Sequence, residues 1–81
     1  MTMKEKMVKE YRKAYMGYCH GVHRQRTEEL EIGEYVALGH LIDGYRMVMK
    51  ALESCMSKKD TEMIDDIKAE IESHVYYGKT A

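Results

Sequence analysis

The chain has 81 residues, with 13 basic and 14 acidic side chains and a formal net charge of -1 at pH 7. A chain of this length has room for a single domain, 1–81, which buries only about 60 to 65% of the surface that its unfolded form exposes. No segment approaches the 18 or more apolar residues of a membrane span, and the charged N-terminus lacks the apolar region of a secretory signal. The two cysteines, Cys19 and Cys55, are too few for a disulfide framework and suit a reducing compartment. We therefore expect a cytoplasmic protein that does not associate with membranes.

Charge is distributed unevenly along the chain. Residues 1–26 carry seven basic and two acidic side chains, whereas residues 27–34 carry four glutamates and no basic residue. The basic segment thus has an acidic complement in its own chain. This argues against nucleic-acid binding, because counterion release adds to the affinity only where basic side chains are free to contact phosphates.

The fold class predicted from composition is all-α. Pro, Trp and Phe are absent while Met, Leu, Ala, Glu and Lys are plentiful, which favours helices over strands. Thr2 followed by Glu5 has the spacing of a capping box, so helix one is predicted at about residues 3–26. Apolar residues recur on one face of this helix at steps of three and four: Met7, Val8, Tyr11, Ala14, Tyr15, Tyr18 and Val22.

Helix two is predicted at about residues 34–56. Gly33 is the candidate for the break, since it can cap the preceding helix with a positive φ or stand at the start of helix two. The competing interpretation is one continuous helix, since no proline forbids it. Helix two shows two faces. One is a stripe of large residues that we expect to pack in the core: Leu38, Leu41, Tyr45, Val48, Leu52 and Met56. The other is a stripe of small residues: Gly33, Ala37, Gly44 and Ala51. One short helix seldom needs both faces to bury itself, so partners on two sides are indicated.

Helix three is predicted at about residues 61–77, with Asp60 as its N-cap and Gly78 as its stop. Its apolar stripe is Ile64, Ile67, Ile71 and Val75. The sequence therefore predicts an antiparallel helical hairpin covered by a shorter third helix. Because helix one has a small-residue strip of its own, Ala14, Gly17 and Gly21, we expect close helix packing in a homodimeric bundle.

Few residues have the spacing that chemistry requires. A metal-binding alternative uses Cys19, His20, His23 and His40, but the helical projection spreads the first three around helix one, so we expect no metal and no cofactor. His40 and Asp43 stand one turn apart without a nucleophile at fixed spacing, and we expect no catalytic residue and no enzyme. His74 is predicted to lie at the edge of the core.

Binding to another protein is the predicted function. Tyr and Met are typical of adaptable interfaces, and helix two offers a second contact surface. The predicted interface residues are Gly33, Tyr35, Val36, Ala37, His40, Gly44, Met47 and Ala51. The expected partners are a second copy of the chain and a further, unidentified protein. The alternative is a nucleic-acid-binding regulator that uses Arg12, Lys13, His23, Arg24 and Arg26.

Overall fold

The structure is a computed structural model that describes residues 2–78. These residues form three helices, α1 (Met3–Thr27), α2 (Ile32–Ser54) and α3 (Lys58–Tyr77), so the all-α prediction is confirmed. The helices pack as a small bundle with extents of 41 × 27 × 21 Å.

The break between α1 and α2 lies before Gly33, so Gly33 stands at the start of α2 and does not cap α1. α1 ends at Thr27, and Glu28 leaves the helix in an extended conformation. Glu31 is the N-cap of α2, and Gly33 lies inside its first turn. Because the connection uses ordinary extended backbone, it needs no glycine with a positive φ.

α3 begins three residues earlier than expected because its N-cap is Ser57 rather than Asp60. The Ser57 side chain accepts a hydrogen bond from the Asp60 backbone, and the Asp60 carboxylate accepts one from the Ser57 backbone at 3.1 Å. This reciprocal arrangement is a capping box, which satisfies amides that the start of the helix leaves bare. At the other end, Gly78 closes the helix in the left-handed conformation, as predicted.

α1 is the central helix, and α2 and α3 both pack against it. α2 runs antiparallel to α1, since the Tyr11 hydroxyl lies 3.0 Å from Glu53 near one end of the pair and Gly21 faces Ile42 nearer the other. α3 runs parallel to α1, as ion pairs join Lys4 to Asp60 and Arg12 to Glu70. The predicted hairpin with a third helix on its side is therefore observed.

The core lies along the inner side of α1. Tyr11, Cys19 and Ile64 are the largest fully buried side chains. The apolar stripes predicted for α1 and α3 both supply this core. Its buried members are Tyr11, Ala14, Tyr15, Cys19, Met49, Ile64, Ile67 and Ile71.

The core-facing side of α2 differs from the predicted stripe. Leu41 and Val48, which were expected to be buried, are about half exposed, whereas Ile42 and Met49 are buried. Leu38 remains in the buried set, so the true inner face is rotated by roughly one residue relative to the prediction. Both sides of α2 are apolar, so polarity alone does not mark which side faces solvent.

The small-residue strip of α1 packs against α2 of the same chain. A Cβ at Gly21 would lie 2.7 Å from Cγ1 of Ile42, and one at Gly17 would lie 2.5 Å from the ring of Tyr45. Close approach of α1 and α2 therefore depends on these glycines. The α1 strip is thus occupied by α2, whereas a Cβ at Gly33 or Gly44 would contact nothing.

Candidate functional site

The outer side of α2, opposite its core-facing side, is the strongest candidate for a functional surface. At about 100° per residue, nine residues between positions 33 and 51 fall within one broad sector centred opposite Ile42. We call this set the α2 outer face: Gly33, Val36, Ala37, His40, Leu41, Gly44, Met47, Val48 and Ala51.

Every residue of the α2 outer face is exposed. Its large apolar side chains have substantial exposed fractions: 51% for Val36, 52% for Leu41, 71% for Met47 and 45% for Val48. Small residues lie between them, so the surface is a shallow strip with apolar ridges on both sides. Contiguous apolar surface of this kind is typical of protein interaction sites.

The α2 outer face contains no Lys, Arg, Asp or Glu. Asp43 and Lys50 lie beside it, and Asp43 is 3.9 Å from Arg46 of the same helix. His40 is the single ionisable residue within the strip. Depletion of charge from the centre of a surface is what distinguishes interface cores from ordinary protein surface.

The structure brings seven of the eight predicted interface residues onto this face, and Tyr35 is the exception. Tyr35 is 52% exposed, but the helical projection places it on the core-facing side of α2, the side of Ile42. Leu41 and Val48 join the face instead. Sequence reasoning assigned these two to the core because they continue the stripe of large residues.

The residues of the metal-binding alternative are not assembled into one site. Cys19 is buried, His20 is exposed on α1, and His40 lies on the α2 outer face. The ring of His23 packs against Tyr76, with centroids 6.0 Å apart. Among residues 2–78, no group of three or more His, Cys, Asp or Glu side chains is placed to hold a metal ion.

The basic residues of the nucleic-acid alternative are divided between two sides of α1. The helical projection places Arg12, His23 and Arg26 toward α3, and Lys13 and Arg24 on the opposite edge. Two of the cations have carboxylate partners. Arg12 donates two hydrogen bonds to Glu70, and Arg24 lies 2.8 Å from Glu28, as expected for the acidic segment.

The remaining histidines lie at the surface. His40 and Asp43 are both exposed. His74 is exposed rather than placed at the edge of the core, which corrects the prediction.

A groove between α2 and α3 runs along a row of tyrosines, of which Tyr11 and Tyr15 are buried in the core, as the sequence predicts. The rings of Tyr11, Tyr15 and Tyr18 stack in succession, with centroids 6.4 and 5.9 Å apart. Lys68 lies 5.8 Å from the first ring and 5.5 Å from the second, and Arg46 lies 5.7 Å from the third. These cations stabilise the rings by cation–π attraction.

The hydroxyls of the two buried tyrosines in this groove have partners within the chain. The Tyr11 hydroxyl donates to Glu53, and the Tyr15 hydroxyl donates to Glu72. Lys68 also lies 3.6 Å from Glu53. Burial, followed by the hydrogen bond to Glu72, raises the pKa of Tyr15 well above its usual range. The groove therefore contains contacts that hold the three helices together.

Cys19 lies behind this row, against Tyr15 and Tyr76. Burial raises the pKa of the Cys19 thiol, and burial together with its hydrogen bond to Cys19 raises the pKa of Tyr76 to about 12. A protonated, enclosed thiol is a poor nucleophile. Cys19 is thus a core residue, and Cys55 is exposed at the end of α2.

Within residues 2–78, none of the three helices combines the length and the apolar character needed to cross a bilayer.

Comparison with known proteins identifies no relative of this chain. No protein-family model matches it, and neither the curated proteins nor the solved structures contain a significant match. Its function is therefore inferred from the α2 outer face.

Proposed function

We propose that the protein works by binding another protein through the α2 outer face, and that a second copy of the chain occupies this face to form a homodimeric bundle. Its action is binding rather than catalysis. Two free cysteines suit the cytoplasm as its compartment. The observation that carries the proposal is the exposure of Val36, Leu41, Met47 and Val48 on one side of a helix whose other side is already packed.

Burial of these side chains supplies the driving force. Removal of apolar surface from water contributes roughly 25 cal/mol per Å², and the largest apolar patch on a protein surface is often functional. A second copy fits the strip because the face is uncharged. Two identical faces therefore meet without repulsion between like charges.

The size of the face limits the strength of this association. From Gly33 to Ala51 the strip is about 27 Å long at 1.5 Å per residue, and it is one helix wide. It covers on the order of 300 Å² per copy in projection, so the dimer buries less than the roughly 1,200 to 2,000 Å² of stable specific complexes. We therefore expect a dimer that dissociates on dilution.

The oligomeric state tests this proposal directly. We expect the mass measured by light scattering to rise from one copy toward two as the concentration increases from about 1 μM to about 1 mM. Met47→Glu places a charge within the face and should keep the chain monomeric. Because Met47 is 71% exposed, this substitution leaves the core intact.

Met16→Glu is the matched control. Met16 is an exposed methionine on α1, outside the α2 outer face, and its exposed fraction is 37%. This variant should associate like the unaltered chain, and circular dichroism should show equal helix content in all three proteins. A constant mass of one copy for the unaltered chain would overturn the proposal, as would equal loss of association in both variants.

A further inference from the structure

We propose that the two copies pair α2 against α2 in antiparallel orientation, about a two-fold axis level with residue 42. This arrangement rests on the homodimer proposed above and specifies its geometry. It follows from the shape of the α2 outer face, from the position of Ile42 and from the charges at the two ends of α2.

Large and small residues are interspersed along the α2 outer face. Gly33 and Gly44 leave space for a facing side chain, whereas His40 and Met47 fill it. A parallel pair would place Gly33, Gly44 and His40 each beside the same residue of the second copy, which leaves gaps at the glycines and crowds the histidines. An antiparallel pair sets His40 of each copy against Gly44 of the other, which permits more even packing along the strip.

The register follows from the middle of the strip. Ile42 points into the core, and the α2 outer face is centred on the opposite side of the helix at the same level. With the two-fold axis at this level, each smaller residue lies opposite a larger one of the second copy. On the centre line, Gly33 lies opposite Ala51 of the second copy, and Gly44 opposite His40 of the second copy. At the edges, Ala37 lies opposite Val48 of the second copy, and Val36 opposite Met47 of the second copy.

The charges at the ends of α2 favour the same orientation. Glu29, Glu31 and Glu34 are exposed at the start of α2, and Lys58 and Lys59 are exposed just beyond its end. A parallel pair would bring the glutamates of both copies together. The antiparallel pair instead places the acidic end of each copy near the two lysines of the other, which is electrostatically favourable.

Disulfide cross-linking distinguishes these arrangements. In the proposed register, the Cα atoms of residue 37 and of residue 48 of the second copy are about 6 Å apart for helix axes 8 to 10 Å apart. This separation is within the range of a disulfide. Within one chain the two positions are about 16 Å apart along the helix, so they cannot join to each other.

The test protein carries Ala37→Cys and Val48→Cys together with Cys55→Ser, which removes the exposed native thiol. Both new cysteines replace exposed residues, so the core is unaffected. Under mild oxidation we expect most of this protein to run as a disulfide-linked dimer on a non-reducing gel. The Ala37→Cys single variant in the same background should not cross-link, because the cysteines at residue 37 of the two copies are about 15 Å apart along the helices.

Cross-linking of the Ala37→Cys single variant to the same extent as the double variant would show a parallel dimer, in which residue 37 of one copy lies beside residue 37 of the other. This result would overturn the register while leaving the homodimer in place. Light scattering on the same samples before oxidation tests the homodimer separately from its antiparallel register. If the mass is that of a dimer and neither variant cross-links, the antiparallel register is wrong. If the mass stays at one copy, the proposed homodimer itself is wrong.

Discussion

Individual glycines in this protein have opposite roles, which depend on the atoms that a Cβ at each position would contact. Gly21 is buried, and its hydrogen faces Cγ1 of Ile42, whereas Gly44 is exposed and a Cβ there meets no atom within 4 Å. Both lie inside helices, where glycine is less favourable than alanine by roughly 0.5 to 1 kcal/mol. The same substitution therefore has opposite consequences at the two sites.

We expect Gly21→Ala to destabilise the fold and Gly44→Ala to stabilise it. At Gly21 the added methyl group overpacks a β-branched side chain, at a cost of roughly 1 to 3 kcal/mol that exceeds the gain in helix propensity. At Gly44 the propensity gain of about 0.5 to 1 kcal/mol remains. Urea denaturation at low protein concentration, where the chain is a single copy, measures both changes. A stabilising Gly21→Ala would contradict the close packing of α1 on α2.

At the scale of the helices, the sequence predicts α1 and α3 better than α2. The apolar stripes of α1 and α3 alternate with charged residues, so periodicity identifies their buried faces. In α2 the outer side is also apolar. Periodicity therefore predicts Leu41 and Val48 as core residues, whereas Ile42 and Met49 are the residues buried in the core. The rotation of such a helix is decided by contacts with α1, which local periodicity does not contain.

The start of α3 allows a prediction about pH. The Asp60 carboxylate lies 3.0 Å from Lys4 and accepts hydrogen bonds from Ser57. The Lys4 contact, followed by those from Ser57, lowers the pKa of Asp60 below its usual range. This carboxylate therefore contributes stability that is fully present above its unfolded pKa of about 3.9 and is lost as the pH falls through the lower folded value.

We expect Asp60→Asn to weaken the dependence of stability on pH below about 4, where the unaltered chain loses this contribution. Ser57→Ala removes the other half of the capping box and should cost about 1 kcal/mol at neutral pH. Denaturation curves recorded at several pH values report both effects. Asp65→Asn is a control, since Asp65 is an exposed carboxylate of the same helix. If Asp60→Asn and Asp65→Asn weaken the dependence of stability on pH equally, the capping contact of Asp60 is not the source of that dependence.

At the scale of the whole molecule, several polar contacts join residues that are far apart in the sequence. The Tyr11 hydroxyl bonds to Glu53, Lys68 reaches the same carboxylate from α3, and Arg12 bonds to Glu70. These contacts link each helix to the other two. The tyrosine positions were predicted from periodicity. Their carboxylate partners were not, because local patterns carry no information about pairs 42 or 58 residues apart.

The stability of the whole molecule should depend on protein concentration. A partner that binds only the folded chain stabilises it by RT ln(1 + [L]/Kd), which is about 1.4 kcal/mol when the partner is at ten times Kd. For a domain of this size, 1.4 kcal/mol raises the unfolding midpoint by about 6 to 11 °C. We expect such a rise in thermal scans between micromolar and near-millimolar concentrations for the unaltered chain and for Met16→Glu. Met47→Glu should show one midpoint at all concentrations, because its charged side chain would have to be desolvated in the dimer. A rise of equal size in Met47→Glu would mean that the copies associate through a surface other than the α2 outer face.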